Sequence, residues 1–120
     1  MPYLNKISVM GNLGKTPELR FFADGTPTTT ISIAYSENWK DSKSGDARES
    51  TEWFTAILYR KQAELVCQHM QKGDCIQVHG KLRSRTYQKD TETIRVFEII
   101  VDQLEMIRTK KQTEAKEEAQ

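Results

Sequence analysis

Only one segment of this chain, residues 61–72 (KQAELVCQHMQK), carries a helical stripe. Ala63, Val66, Cys67 and Met70 fall at i, i+3, i+4 and i+7, and Gly73 is placed as the stop. The apolar residues elsewhere alternate. Residues 51–59 (TEWFTAILY) set Trp53, Thr55, Ile57 and Tyr59 on one side and Phe54, Ala56 and Leu58 on the other. Both sides are apolar enough to be covered. A strand buried on both faces suits a larger α/β protein, but one short helix cannot cover a second sheet face. One face therefore packs the core, and the other meets a ligand or a partner.

The remaining runs extend the β reading. Residues 4–10 (LNKISVM) read as a first strand with Leu4, Ile7 and Val9 as its apolar points. Gly11-Asn12-Leu13-Gly14 ends it in a bend or bulge of the kind found where a sheet closes on itself. Residues 17–22 form a short second segment stopped by Asp24-Gly25. Residues 28–35 (TTTISIAY) are β-branched and alternate, and residues 75–83 set Ile76, Val78, Gly80 and Leu82 inward. Two stretches read as polar loops, 36–50 with Trp39 as its one large apolar residue, and 84–92. A long apolar strand over residues 94–107 closes the domain.

Three strand regions, one helix and two further strands match an all-β architecture with one helix. It is the OB-fold, a five-stranded Greek-key barrel with a helix between strands 3 and 4. Without alternating helices, a doubly wound sheet is not expected. At 120 residues the chain is one domain. The barrel is expected over 1–108, followed by a flexible charged tail over 109–120 (TKKQTEAKEEAQ). A hydrophobic content of 37% against 29% charged residues fits a small barrel with polar loops that completes its burial by self-association.

Composition also narrows function. The net charge of +1 is not that of a strongly basic nucleic-acid binder, so only local clustering can supply a phosphate track. Such a cluster exists in Lys81, Arg83, Arg85 and Lys89, with Asp90 and Glu92 only after it. By itself that run reads equally as a solvated strand end. Tyr87 within it, and Trp39, Trp53 and Tyr59 upstream, add flat π-faces beside the cations. An unpaired nucleic acid strand needs both, since every base has a face and every nucleotide a charge.

Other chemistry is thin. Cys67, Cys75, His69 and His79 lack paired ligand spacing, so no metal site or other cofactor is expected, and the thiols read as free. Neither histidine has a serine or cysteine in a strained turn near it, and no phosphate-binding glycine loop occurs. Catalysis is not expected. No signal peptide opens the chain and no run is long enough to cross a membrane, so a cytoplasmic, nucleoid-associated protein without a membrane partner is expected.

At these residues the chain resembles the bacterial single-stranded DNA-binding protein family. The matching pieces are Asn5-Lys6, Val9-Met10-Gly11-Asn12-Leu13-Gly14, Pro17-Glu18-Leu19-Arg20, Ser36-Glu37-Asn38-Trp39, Thr51-Glu52-Trp53, Lys72-Gly73 and Gly80-Lys81-Leu82-Arg83-Ser84-Arg85-Thr86-Tyr87. They run in the family's order and spacing over roughly residues 4–107. The resemblance implies an OB-fold, usually a homotetramer, that wraps single-stranded DNA in replication, recombination and repair. It makes Trp39, Trp53, Tyr59 and Tyr87 the stacking positions. Lys6, Lys40, Lys61, Lys72, Arg83 and Arg85 become the basic positions suited to phosphates. Phe54 corresponds to a position near the family's subunit interface.

The family usually continues into a Gly/Pro/Gln-rich linker and an acidic tip that recruits replication or recombination proteins. This sequence stops at Glu117-Glu118-Ala119-Gln120 with neither, so recruitment by that route is not expected, as would suit a plasmid, phage or mobile-element member. Two further readings stand beside sequence-tolerant binding of single-stranded DNA. One is an accessory protein whose main role is contacting a replication enzyme. The other is an OB-fold enzyme or RNA chaperone, for which no acid–base cluster speaks; the choice of RNA over DNA rests on 2′-hydroxyl contacts.

Overall fold

The computed structural model describes residues 2–108; the expected tail over 109–120 lies outside the described residues. Six strands and one helix follow in the order β1 (Ile7–Leu13), β2 (Arg20–Phe21), β3 (Pro27–Lys40), β4 (Ala47–Tyr59), α1 (Arg60–His69), β5 (Cys75–Lys89) and β6 (Glu92–Arg108). The sheet runs β1-β5-β6-β4-β3-β2, and β1 also pairs with β3, which closes five strands into a barrel with α1 between the third and fourth. That is the expected OB-fold. β2 is a two-residue edge piece on β3 that takes no part in closure.

Closure depends on two glycines. β1 pairs with β5 from Ile7 to Asn12 and then with β3 at Asn12 and Leu13, so it serves two sheet faces in succession. At the switch, a Cβ on Gly11 would fall 2.2 Å from the Ala34 carbonyl oxygen. β6 bulges at Asp102, opposite the His79–Gly80 step of β5, and a Cβ on Gly80 would fall 2.0 Å from the Ile100 carbonyl oxygen. Only a residue without a side chain lets the backbones approach this closely. The glycine bend anticipated after β1 thus lies inside the strand, which continues to Leu13.

The core is the inward alternation of the strands together with one helical stripe. Ile31, Ile33, Ala56, Leu58, Ile76, Val78 and Ile99 meet Ala63 and Val66 from α1 and Met70 just after it, all buried. Leu82, expected inward, is 39% exposed; it lies two residues beyond Gly80, where the pairing of β5 with β1 ends. Leu4 lies before β1 and is exposed. α1 ends at His69, three residues earlier than expected, with Met70 extended. Gly73 instead shapes the following turn at φ 93°, where its N–H donates to the Leu13 carbonyl and its own carbonyl accepts from Asn12. These bonds tie the turn to the stretch of β1 that changes partner.

The largest departure from expectation concerns the two polar stretches. Residues 36–50 are not a loop. β3 and β4 stay paired out to Lys40 and Ala47, leaving only a short turn around Asp41, whose carboxylate accepts from the Lys43 N–H and is held below its usual range by that bond. Residues 84–92 are likewise ladder, with β5 and β6 paired out to Lys89 and Glu92 around Asp90-Thr91. Both are antiparallel arms that leave the barrel. Backbone ladder bonds and cross-strand pairs hold them instead of burial, so they lack the alternation that marks a half-buried strand.

The step from β4 into α1 is strained. Arg60 opens the helix at φ 57°, a left-handed conformation that costs an L-residue about 1–2 kcal/mol. Its side chain is exposed, so little is lost by removing it. Arg60→Gly is expected to raise stability by about 0.5–1 kcal/mol after glycine's extra chain entropy is counted. A urea titration reads this as a higher midpoint with unchanged slope.

Candidate nucleic-acid interface

The outward alternation of β4 presents Trp53, Thr55, Ile57 and Tyr59 on one face, as the sequence predicts. On β6, Glu98 and Ile100 belong to the same outer face, because Ile100 pairs with Ile57 while buried Ile99 pairs with Ala56. Across the β5–β6 ladder, Arg83 stands opposite Glu98, Arg85 opposite Val96 and Tyr87 opposite Ile94. Five of the predicted residues, Trp53, Tyr59, Arg83, Arg85 and Tyr87, therefore share one face, on the two strands that flank β6. Thr55, next to Trp53 on that face, lines a single open groove with Arg85, Tyr87 and Glu98.

Each aromatic is held differently. Trp53 is 62% exposed and rests over Gly14, where a Cβ would fall 2.5 Å from the indole Cζ3. The glycine gives the indole a flat floor. Tyr59 is half-buried and stacks on Phe22, with centroids 6.0 Å apart and planes 24° from parallel. Tyr87 is 41% exposed and has the Arg85 guanidinium carbon 5.8 Å from its ring centroid, a cation–π contact.

The cations are organised by a residue that sequence reading did not single out. Glu98 lies with its side chain 4% exposed, and its Oε1 accepts from Arg83 Nη2 at 3.3 Å and from Arg85 Nε at 3.1 Å. Two half-exposed guanidinium groups thus share one buried carboxylate and keep net positive charge facing the groove. Glu98 first, and the Tyr59 hydroxyl after it, hold the Arg83 guanidinium above its already high ordinary pKa against the opposing pull of desolvation. The one available signal was an acid inside the apolar run IRVFEIIV, which a buried strand tolerates only when the charge is paired. Phe22 was also missed; its signal was a pair of phenylalanines ahead of Asp24-Gly25.

The other predicted residues are not gathered here. Trp39 is 50% exposed on the β3–β4 arm, and strand alternation sets it on the opposite face of the ribbon from Trp53. It lines a separate shallow groove with Lys40 and Arg48. Lys6 precedes β1, Lys61 lies in the first turn of α1 and Lys72 in the turn beyond it, all exposed.

His79 does have a serine beside it. Its Nδ1 is 2.7 Å from Ser8 Oγ and its Nε2 3.0 Å from a Glu105 oxygen. These groups sit on paired strands, His79 beside the register shift at Gly80, rather than in the strained strand-to-helix turn that a nucleophile elbow requires. Among the described residues no cluster of three or more His, Cys, Asp or Glu is placed to hold a metal, and no helix is long and apolar enough to cross a membrane.

Comparison with known proteins agrees with this geometry. The model of the single-strand binding protein family matches residues 4–107. Single-stranded DNA-binding protein 1 of Xylella fastidiosa (strain 9a5c) is 39% identical over 108 residues, which cover 89% of this chain and 79% of that protein. The solved complex of Plasmodium falciparum SSB with ssDNA superposes with a TM-score of 0.77 at 25% identity, covering 87% of this chain and 95% of that one. A closed barrel with an aromatic and cationic outer face, matched along nearly its whole described length, places the chain in the single-strand binding protein family, whose members bind DNA and are not enzymes.

Proposed function

We propose that this chain binds single-stranded DNA without reading its sequence, and protects it during replication, recombination and repair. One observation carries the reading. Trp53, Tyr59 and Tyr87 share an outer face with Arg83 and Arg85, so bases find π-surfaces where phosphates find fixed positive charge. Trp39, with Lys40 and Arg48 beside it, serves as an outlying platform on the arm, and Lys6, Lys61 and Lys72 widen the positive field around the barrel.

Stacking contributes about 1–3 kcal/mol per base, so Trp53→Ala and Tyr87→Ala are each expected to weaken oligo-dT binding roughly fivefold to 150-fold. Anisotropy of a labelled oligonucleotide measures this without relying on the indoles. Unchanged affinity in both variants would sink the reading.

Assembly into a homotetramer belongs to the same proposal. Phe54 is half-buried and meets Tyr35 edge to face at 6.4 Å, while Leu82 and Phe97, 39% and 57% exposed, continue the core-side faces past the barrel. That apolar surface supports burial against further copies. Mass measured in solution tests it, and a monomer at micromolar concentration would refute it. Nucleoid association and contact with replication or recombination proteins complete the proposal; pull-downs with and without DNA separate direct contact from bridging by the strand.

A further inference from the structure

A second groove lies on the same outer face, on the other side of Thr55 from the Arg85–Tyr87 groove. Its floor is the hydroxyl-bearing rows of β3 and β4, Thr30, Ser32 and Thr55, and its walls are Lys15 and Glu18 from the segment between β1 and β2 and Arg20 at the start of β2. The placement of that segment is informative. Gly14, just before Lys15, lies under the Trp53 indole, and Phe22, two residues after Arg20, stacks on Tyr59. Residues 14–22 therefore run beside β3, on its far side from β4, with one end reaching each of two β4 aromatics and two exposed cations between them.

The register fixes the length of the path. Trp53 pairs with Ala34 and Tyr59 with Thr28, six residues apart along the strand, which is about 20 Å at the usual strand rise. A stacked strand rises about 3.4 Å per nucleotide, so several nucleotides must cross this interval if both rings stack bases. What they would cross is polar. Hydroxyl groups and cations are the partners of phosphate oxygens rather than of base faces.

We propose that this groove is a phosphodiester subsite, in which Lys15 and Arg20 take the backbone of single-stranded DNA between a base on Trp53 and a base on Tyr59. Phe22 backs the Tyr59 ring and extends its stack. Glu18 tunes the subsite, because its carboxylate lies 3.6 Å from Arg20 with both side chains exposed, and a phosphate must compete with it. The inference rests on the single-strand reading above.

Three exposed side chains make the test clean, since none supports the core. The slope of log K against log salt is measured for oligo-dT by anisotropy. Each phosphate that goes unneutralised reduces a single-strand slope by about 0.7, so Lys15→Gln with Arg20→Gln is expected to flatten it by about 1.4. Glu18→Gln is expected to act in the opposite direction, tightening low-salt binding and steepening the slope. Unchanged slopes in all three substitutions, with Trp53→Ala still weakening binding, overturn the subsite and leave the broader reading standing. If Trp53→Ala and Tyr87→Ala are also without effect, the reading itself fails. Flattening without the opposite response of Glu18→Gln overturns the tuning role of Glu18.

Discussion

Replacing Gly80 by alanine is expected to destabilise the barrel by about 3 kcal/mol or more, at the upper end of overpacking effects. The added Cβ would fall 2.0 Å from the Ile100 carbonyl oxygen and 2.8 Å from its carbon. Both obstacles are backbone in a paired strand, so no rotamer change relieves the clash. The pairing of β5 with β6 around the Asp102 bulge must open, and β5 carries Arg83, Arg85 and Tyr87. A useful comparison is Gly25→Ala. Space around Gly25 is open, but its φ of 89° costs an L-residue about 1–2 kcal/mol. Urea midpoints for the two variants decide the matter. If Gly80→Ala loses no more than Gly25→Ala, the two backbones at that corner can part at little cost and the glycine is not required there.

The second large effect separates folding from binding. Changing Arg83 and Arg85 together to glutamine leaves the Glu98 carboxylate buried with neither of its guanidinium partners. Breaking a buried ion pair from one side costs about 3–5 kcal/mol, and the lower end applies here because both arginines are half-exposed. The double variant is expected to lose about 3 kcal/mol of stability and most of its low-salt affinity for oligo-dT. Adding Glu98→Gln removes the stranded charge, so the triple variant is expected to regain much of the stability. Its affinity should stay low, because the phosphate partners are still missing. Denaturation and anisotropy on the same three proteins test this. Recovery of both properties in the triple variant would contradict a direct role for the arginines at phosphates.

Much of this molecule is readable from its sequence. The alternation of residues 51–59 places Trp53 and Tyr59 on an outer face, and the helical stripe read over 61–72 gives Ala63, Val66 and Met70 to the core, although Met70 lies just past the end of α1. Alternation reports a boundary between water and core, so it is informative only where such a boundary exists. The arms at 36–50 and 84–92 have water on both sides and look like loops. Their strand character comes from partners across the hairpin that a local pattern cannot contain. The same blindness hides the position of Trp39, because its face depends on β3 continuing unbroken past Tyr35. Glu98 is hidden for another reason. A carboxylate reads as surface until the two arginines that neutralise it are seen across the ladder, thirteen and fifteen residues earlier in the chain.

The strand order has a consequence for how the protein comes into being. β6 lies between β5 and β4, antiparallel to one and parallel to the other, so the strand furthest along the described residues is the one that joins β5 to β4 in the barrel. Until Ile99 and Ile100 arrive, the backbone of Ala56 and Ile57 waits on an open edge, and such non-local parallel pairing is intrinsically slow. Open edges recruit other strands, so the nascent chain passes through a period of vulnerability to mispairing. Glu98 is on that same strand. Before β6 docks, Arg83 and Arg85 have no buried carboxylate to fix them, and the groove beside Thr55 lacks its floor. Docking of β6 thus completes the proposed binding face and the barrel in one event.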